Sequence, residues 1–332
     1  IGMNLIRAGR ADVVIAGGTD SLSDVPITLK KRLRNKLLEA QRFKKATDYL
    51  QLLRGLRFRD LLPQVPAVAE YSTGRTMGQD SDRLAARFGI TREEQDQYAL
   101  ESHLRAAEAY DKGYLQKEVE PVQVPPGFET FTRDNGIRVD TSLEKLAKLP
   151  PAFYRSHGTA TAGNSTFLSD GAAAVLLMEE EVAKTLGLQP RAVLKDYCFT
   201  AQDTRKDLLL GPAYAVPILL DRLNLRLEDF GIFEFHEAFA GQLLANLKAL
   251  SSSDFARDCL NRTEAMGDVS RDKLNTLGGS LSLGHPFGAT GARLLTTAVN
   301  RLHLEDQELA LIASCAAGGL GYAAVVERCK SS

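Results

Sequence analysis

The stretch Leu309-Ala310-Leu311-Ile312-Ala313-Ser314-Cys315-Ala316-Ala317-Gly318-Gly319-Leu320-Gly321 decides the fold class. Its first residues are apolar with no polar alternation, the pattern of a strand covered on both faces. A cysteine ends the run, and the Ala-Ala-Gly-Gly turn behind it leads into a second apolar run, Tyr322 to Glu327. Working outward, runs of the same kind recur at Ala11 to Ala16, closed by Gly17-Gly18, at Ala172 to Met178 and at Ile232 to Phe235. Helical segments lie between the later runs: Ala213 to Asn224 behind Pro212, Glu237 to Leu250 directly after a strand, and Ala289 to Leu302 out of a glycine-rich turn. This alternation defines an α/β protein with covered sheets.

Asp12 to Ser23 has the same plan as Leu309 to Gly321, strand then glycine turn. Either a duplicated half or the strand-glycine turn common to α/β folds accounts for it. Residues 25–165 lack the strand rhythm and read as an inserted domain of loops and helices. The chain then divides into 1–24 as the remainder of a first half, the insertion, a return to the first half over 166–190, and a second half over 191–332. Within the insertion, Thr91 and Glu94 form a capping box for a helix that runs to about Tyr110 and stops near Gly113. A proline-rich stretch, Pro121 to Pro126, follows.

With 332 residues, 44% of them hydrophobic, the chain can bury a large core. Its 41 Lys+Arg against 42 Asp+Glu leave no global field that would draw it to nucleic acid. The four cysteines, Cys198, Cys259, Cys315 and Cys329, show no C-x-x-C spacing, which argues against a zinc site or a disulfide framework and for a reducing compartment. The apolar runs fall short of the roughly 20 residues that span a bilayer. Met3, Leu5, Ile6 and Ala8 read as the last turns of a helix already under way, so the chain is expected to begin internally.

Local charge is uneven. Between residues 30 and 59, Lys30, Lys31, Arg32, Arg34, Lys36, Arg42, Lys44, Lys45, Arg54, Arg57 and Arg59 are opposed only by Glu39 and Asp48. Leu33, Leu37, Ala40, Tyr49, Leu53 and Leu56 fall roughly at helical spacing, giving an apolar face beneath the charge. A solvated helical face, a surface for phosphates of a ligand or partner, and attachment to an anionic membrane all fit.

Three residues stand where chemistry is done. His236, in Phe235-His236-Glu237-Ala238-Phe239-Ala240, marks the change from strand to helix, where open α/β sheets bind ligands. His285 sits among Gly278, Gly279, Gly284, Gly288 and Gly291, whose freedom lets backbone approach a ligand, and Pro286 stiffens the next peptide. A nucleotide loop is excluded there because no lysine follows Gly288-Ala289. Cys315 is read at the turn rather than inside the strand, where a thiol can be reached and turn amides can face an oxyanion. Packing alone is the competing account for each. Cys198 reads as a structural cysteine within a strand; Cys259 and Cys329 receive no role. His103 and His303 read as surface or packing residues, and His157 is ambiguous.

His-Glu-Ala-Phe-Ala (236–240), Gly-His-Pro-Phe-Gly-Ala-Thr-Gly (284–291) and Cys-Ala-Ala-Gly-Gly (315–319), in that order, resemble the thiolase family. Val14 to Gly18, Met77-Gly78, Thr161 to Ser165 and Asp170 to Ala174 extend the likeness over nearly the whole chain. His236 in place of the asparagine of many thiolases, together with the basic insertion, resembles the thiolase subunits of fatty-acid β-oxidation complexes.

The resemblance implies a two-half thiolase fold with an inserted loop domain, the first half incomplete here. It also implies CoA-dependent cleavage of 3-ketoacyl-CoA to acetyl-CoA and a shortened acyl-CoA, with coenzyme A as co-substrate and no permanently bound cofactor. His285 would activate a cysteine nucleophile expected upstream of Ile1, so the 332 residues alone are expected to be inactive. Cys315 would protonate the acetyl-CoA carbanion and later deprotonate CoA, His236 would hold a water in one oxyanion hole, and the Ala317 N–H would serve a second. Ala162, Thr166, Phe167 and Leu168 match the pantetheine-contacting stretch, with Thr166 and Phe167 departing from the commoner Ser-Gly, while Met77 and Phe239 match walls of the acyl pocket. Implied partners are a second copy of the chain, a hydratase/dehydrogenase subunit and, through residues 30–59, a membrane surface. The compartment would be bacterial cytoplasm or mitochondrial matrix. Alternatives are an acetoacetyl-CoA thiolase and a non-catalytic CoA-binding or assembly subunit; a ketoacyl-carrier-protein synthase is disfavoured because it places histidine where Cys315 stands.

Overall fold

The computed structural model describes residues 1–64 and 69–329. Helix α1 (Gly2–Arg7) leads into strand β1 (Val13–Ser21). From Ser21 to Val68 the chain forms a compact unit of its own; Ile1–Asp20 and the residues from Ala69 onward form another. The smaller unit holds β2 (Thr28–Leu29), helices α2 (Lys31–Ala40), α3 (Leu50–Leu53) and α4 (Phe58–Leu61), and β3 (Pro63–Gln64), which pairs with β2. The expected apolar face of the basic segment is not continuous. A left-handed Gly55 and the turns after Ala40 cut it into short pieces, and Leu37 and Tyr49 are exposed.

The larger unit continues with α5 (Met77–Arg87), α6 (Arg92–Asp111), the hairpin β4 (Val122–Val124) and β5 (Glu129–Phe131), and α7 (Leu143–Ala147). The capping box of α6 is present in full: Glu94 N–H donates to Thr91 Oγ1 at 3.1 Å and Thr91 N–H to Glu94 Oε2 at 2.7 Å, a cap worth about 1 kcal/mol. Strand β6 (Asp170–Met178) and α8 (Glu180–Thr185) follow. The second half then runs β7 (Ala192–Ala201), α9 (Gly211–Leu223), β8 (Ile232–Phe235), α10 (Ala240–Leu250), α11 (Ser253–Leu260), α12 (Ser280–Leu283), α13 (Phe287–Leu304), β9 (Leu309–Ala316) and β10 (Leu320–Arg328).

Its sheet has the order β7-β10-β9-β8, with β8 parallel to β9 and β10 antiparallel to both of its neighbours. Every residue of β8 is buried, the charged Glu234 included, as in a strand covered on both faces. Helix α9 packs on β7, β9 and β10, while α13 contacts β6 as well as β8, β9 and β10. Cys198 lies buried within β7.

Three sequence expectations change here. Strand β1, like its partner β6, is not covered on both faces: exposure alternates along each, with Val13, Ile15 and Leu176 in solvent. Nor do Gly17-Gly18 end it. A side chain at Gly17 would strike the Ala173 carbonyl of β6, so glycine there permits close pairing. Helix α10 starts at Ala240 rather than Glu237, because residues 238–240 bond sideways: Thr166 N–H donates to the Ala238 carbonyl and Ala240 N–H to the Asn164 carbonyl, each at 3.0 Å. Cys315 lies inside β9, paired with Gly321, and not at the turn. Strand β10 zips to Ala316, which confines the turn to 317–319, where Gly318 and Gly319 take positive φ.

Candidate active site

Strand β8 delivers His236 to the end of the sheet, and its N–H bonds the Ala313 carbonyl of β9 at 2.8 Å. Sequence reasoning did not find what fixes that strand end. Asn275 acts as a surrogate strand neighbour, its Oδ1 accepting from Phe235 N–H at 2.9 Å and its Nδ2 donating to the Phe235 carbonyl at 2.8 Å. The buried Glu237 carboxylate accepts from Tyr98 Oη–H at 2.5 Å and Asn275 Nδ2–H at 2.6 Å on one oxygen, and from Ser102 Oγ–H at 2.9 Å on the other. A buried carboxylate so fully satisfied is a rigid anchor.

His285 arrives from the loop between α12 and α13. Gly284 before it has φ +97°, and a side chain there would meet Ser169 Oγ, so only glycine suits the approach. Ser169 Oγ accepts from His285 N–H at 3.1 Å. The rings of His236 and His285 lie 4.1 Å apart between centroids, tilted by 47°. His236 Nδ1 is 3.0 Å from Ser280 Oγ, and His285 Nδ1 is 2.7 Å from Thr290 Oγ1.

Burial sets the protonation. It lowers His285 to about 4, assisted by Arg293 and opposed by Asp20, and it pushes His236 well below the usual histidine range, with His285 and Arg293 adding to the effect. Both rings are neutral at pH 7. Burial raises the Cys315 thiol to about 12, so it keeps its proton.

The structure brings most of the expected residues into one region. Cys315 and Phe239 belong to one buried apolar cluster against which Met77 and Phe153 pack, and the Phe153 and Phe239 rings meet edge-on at 5.7 Å. A methyl on Gly78 would overlap the Phe153 ring, so Met77 enters α5 beside a position open only to glycine. Ser165 bridges to Phe239, which sets Thr166 and Phe167 alongside residues 238–240. Phe167 also packs by Gly136 and Gly284. Ala162, Leu168 and Ala317 are exposed. Of the supporting residues, Thr290, five after His285 at the start of α13, and Glu237, next to His236, were within reach of the sequence; Ser169 and Asn275 come from other segments, and Arg293, though on α13 too, carries no local signal of its role.

A neutral histidine pair, His236 buried and His285 partly buried, with a protonated thiol and an adjoining aromatic-walled apolar cluster, suits acyl transfer with proton exchange at carbon. The chain belongs to the thiolase family: its N-terminal domain model matches residues 1–181 and its C-terminal domain model residues 188–328. It is 50% identical over 325 residues to the mitochondrial trifunctional enzyme subunit beta of Bos taurus, covering 98% of the chain and 68% of that relative. It is also 50% identical over 322 residues to a 3-ketoacyl-CoA thiolase of Yersinia pestis, covering 97% of the chain and 74% of the relative. The crystal structure of human mitochondrial 3-ketoacyl-CoA thiolase in complex with CoA superposes with a TM-score of 0.80 at 29% identity, over 99% of this chain and 74% of that one. The acetyl-CoA acetyltransferase of Bacillus anthracis gives a TM-score of 0.78 at 32% identity, over 99% and 76%.

Proposed function

We propose that the protein is a 3-ketoacyl-CoA thiolase of fatty-acid β-oxidation, taking CoA as co-substrate. The observation that carries this is the neutral His236–His285 pair, 4.1 Å apart at the end of the strand next to the one that bears Cys315. Breaking the bond between C2 and C3 leaves an enolate that needs a proton, and the Cys315 thiol, protonated by burial, supplies it. His285 takes the proton of a cysteine nucleophile, which becomes acylated. CoA thiol, deprotonated through Cys315, then removes the acyl group.

In this proposal His236 serves one oxyanion hole and the Ala317 N–H another. Ala162, Thr166, Phe167 and Leu168 face pantetheine, and Met77 and Phe239 border the acyl chain. The inserted domain is assigned to residues 25–165, within the first half. The trifunctional-enzyme relatives support assembly with a hydratase/dehydrogenase subunit and a matrix-side location; the Yersinia relative supports the bacterial cytoplasm as the other setting. A homodimer and contact of residues 30–59 with an anionic membrane complete the proposal. No helix among the described residues is long and apolar enough to cross a membrane.

The test is acetyl-CoA release from a 3-ketoacyl-CoA by the full-length gene product, with acid quench and mass spectrometry to find the acylated side chain. Strictly CoA-dependent turnover is expected, with the acyl group on a cysteine other than Cys198, Cys259, Cys315 and Cys329. Acyl-CoA binding with no turnover would leave a binding subunit instead.

A further inference from the structure

We infer that hydroxyl neighbours lock the two histidines in opposite tautomers, His236 presenting an N–H and His285 a lone pair at Nε2, with Ser280, Arg293 and Thr290 as the positioning residues. Arginine has donors only, and Arg293 Nη2 lies 2.7 Å from Ser280 Oγ, so that oxygen accepts there. Ser280 is fully buried, and its own proton needs an acceptor. Among the described residues its one remaining partner is His236 Nδ1 at 3.0 Å. A hydroxyl that donates to Nδ1 requires that nitrogen bare, which places the His236 proton on Nε2.

The second histidine follows the opposite logic. Thr290 Oγ1–H donates to the Pro286 carbonyl at 2.9 Å, one turn back along α13. Its oxygen is left as an acceptor for His285 Nδ1–H at 2.7 Å, and the lone pair of that ring falls on Nε2. One ring therefore offers a fixed donor to a charged oxygen and the other a fixed base. A second proton on either ring is opposed by Arg293, whose Nη1 is buried without a hydrogen-bond partner among the described residues. The carboxylates that face Arg293 are Glu234, which is fully buried, and Glu118 and Asp134, which are partly buried.

The inference rests on the proposed thiolysis only in its kinetic arm. The full-length protein is labelled with [15N]histidine, and the ring nitrogens are read by two-bond nitrogen-proton correlation, assigned by the loss of one spin system each in His236→Asn and His285→Asn. The expected result is a protonated Nε2 on His236 and a protonated Nδ1 on His285. Ser280→Ala should mix the His236 tautomers and lower kcat about tenfold, a typical weight for one hydrogen bond at about 1.4 kcal/mol, with KM for CoA unchanged. Ser280→Thr, which keeps the hydroxyl, should restore both. Equal tautomers in the wild-type protein, or a Ser280→Ala variant with the wild-type nitrogen spectrum, would overturn the assignment. Opposite tautomers in a protein that fails to cleave 3-ketoacyl-CoA would uphold it and sink the proposed function instead.

Discussion

Glu70 Oε2 accepts the N–H of Gly318 at 3.1 Å, in the turn that follows Cys315. Its other oxygen accepts from Ser72 N–H at 3.1 Å and Ser72 Oγ–H at 2.8 Å, and Ser72 Oγ shares a hydrogen bond with Thr204 Oγ1, also at 2.8 Å. A carboxylate from a different segment thus clips the two-glycine turn and fixes the peptide that joins Ala317 to Gly318. Glu70 is accordingly a positioning residue for the turn that carries Ala317.

Hydrogen bonds from Ser72 and then Gly318 hold the Glu70 carboxyl below its ordinary range. A depressed carboxyl contributes stability above its unfolded value and loses it as pH falls through the folded one. Urea unfolding of wild type and Glu70→Gln should therefore differ clearly at pH 7, and the gap should close as pH drops below the usual glutamate range. A gap that stays constant with pH would show that the charge of Glu70 is irrelevant.

Cys315, held near 12 by burial, should titrate far above a free thiol when followed by thiolate absorbance. Cys315→Ala and Cys315→Ser in the full-length protein should each suppress thiolysis by roughly two orders of magnitude, the weight of a positioned proton-transfer group. Acylation by a reactive ester should survive. A variant with normal thiolysis would leave the thiol as packing.

His285 sits near 4 instead of the ordinary 6.5, and Arg293 is the second cause after burial. Because the ring binds its proton only in strong acid, the acid limb of kcat/KM should lie well below pH 6. Arg293→Gln removes a repelling charge and should move that limb toward neutrality. A limb centred near 6.5 in the wild-type enzyme would mean that His285 is not the base.

For residues 30–59 the expected effect is ionic. Replacing Lys30, Lys31 and Arg34 by Gln should weaken co-sedimentation with anionic vesicles, and added salt should weaken it further in the unaltered protein, because such attraction acts over roughly 8 Å at physiological ionic strength. Turnover of a short 3-ketoacyl-CoA should stay within about threefold. A steep rise in KM for CoA with vesicle binding unchanged would assign the charge to CoA phosphates.

The strands of the second half and the capped helix α6 were legible because their signals are local: an apolar run, and two side chains three residues apart. Cys315 was misplaced by a few residues because the end of β9 is set by pairing with β10, which a single segment does not reveal. Helix α10 starts late for a similar reason, since residues 238–240 bond to residues 164–166. Strand β1 was misjudged because apolar composition reports what a strand can bury, while its cover depends on its neighbours. Within the candidate site His236, His285 and Cys315 stood out by residue type and by their place at strand ends and glycine-rich turns. Glu70, Ser280 and Arg293 did not, because a hydroxyl or a charge becomes specific only through a partner from elsewhere in the chain.

Arg301 of α13 and Glu234 of β8 form an ion pair at 2.7 Å with both side chains wholly buried. Losing Arg301 alone strands the Glu234 carboxyl in the interior at about 3–5 kcal/mol, a large part of the roughly 5–15 kcal/mol that holds a domain folded, whereas losing Glu234 leaves Arg301 paired with Glu305, 2.7 Å from its Nε. Exchanging both for apolar residues of similar volume costs little. In a lineage drifting by single substitutions, then, Arg301 cannot change before Glu234 without an unfit ancestor in between. The pair should be inherited as one character, kept by the depth of the valley around it as much as by any advantage it confers.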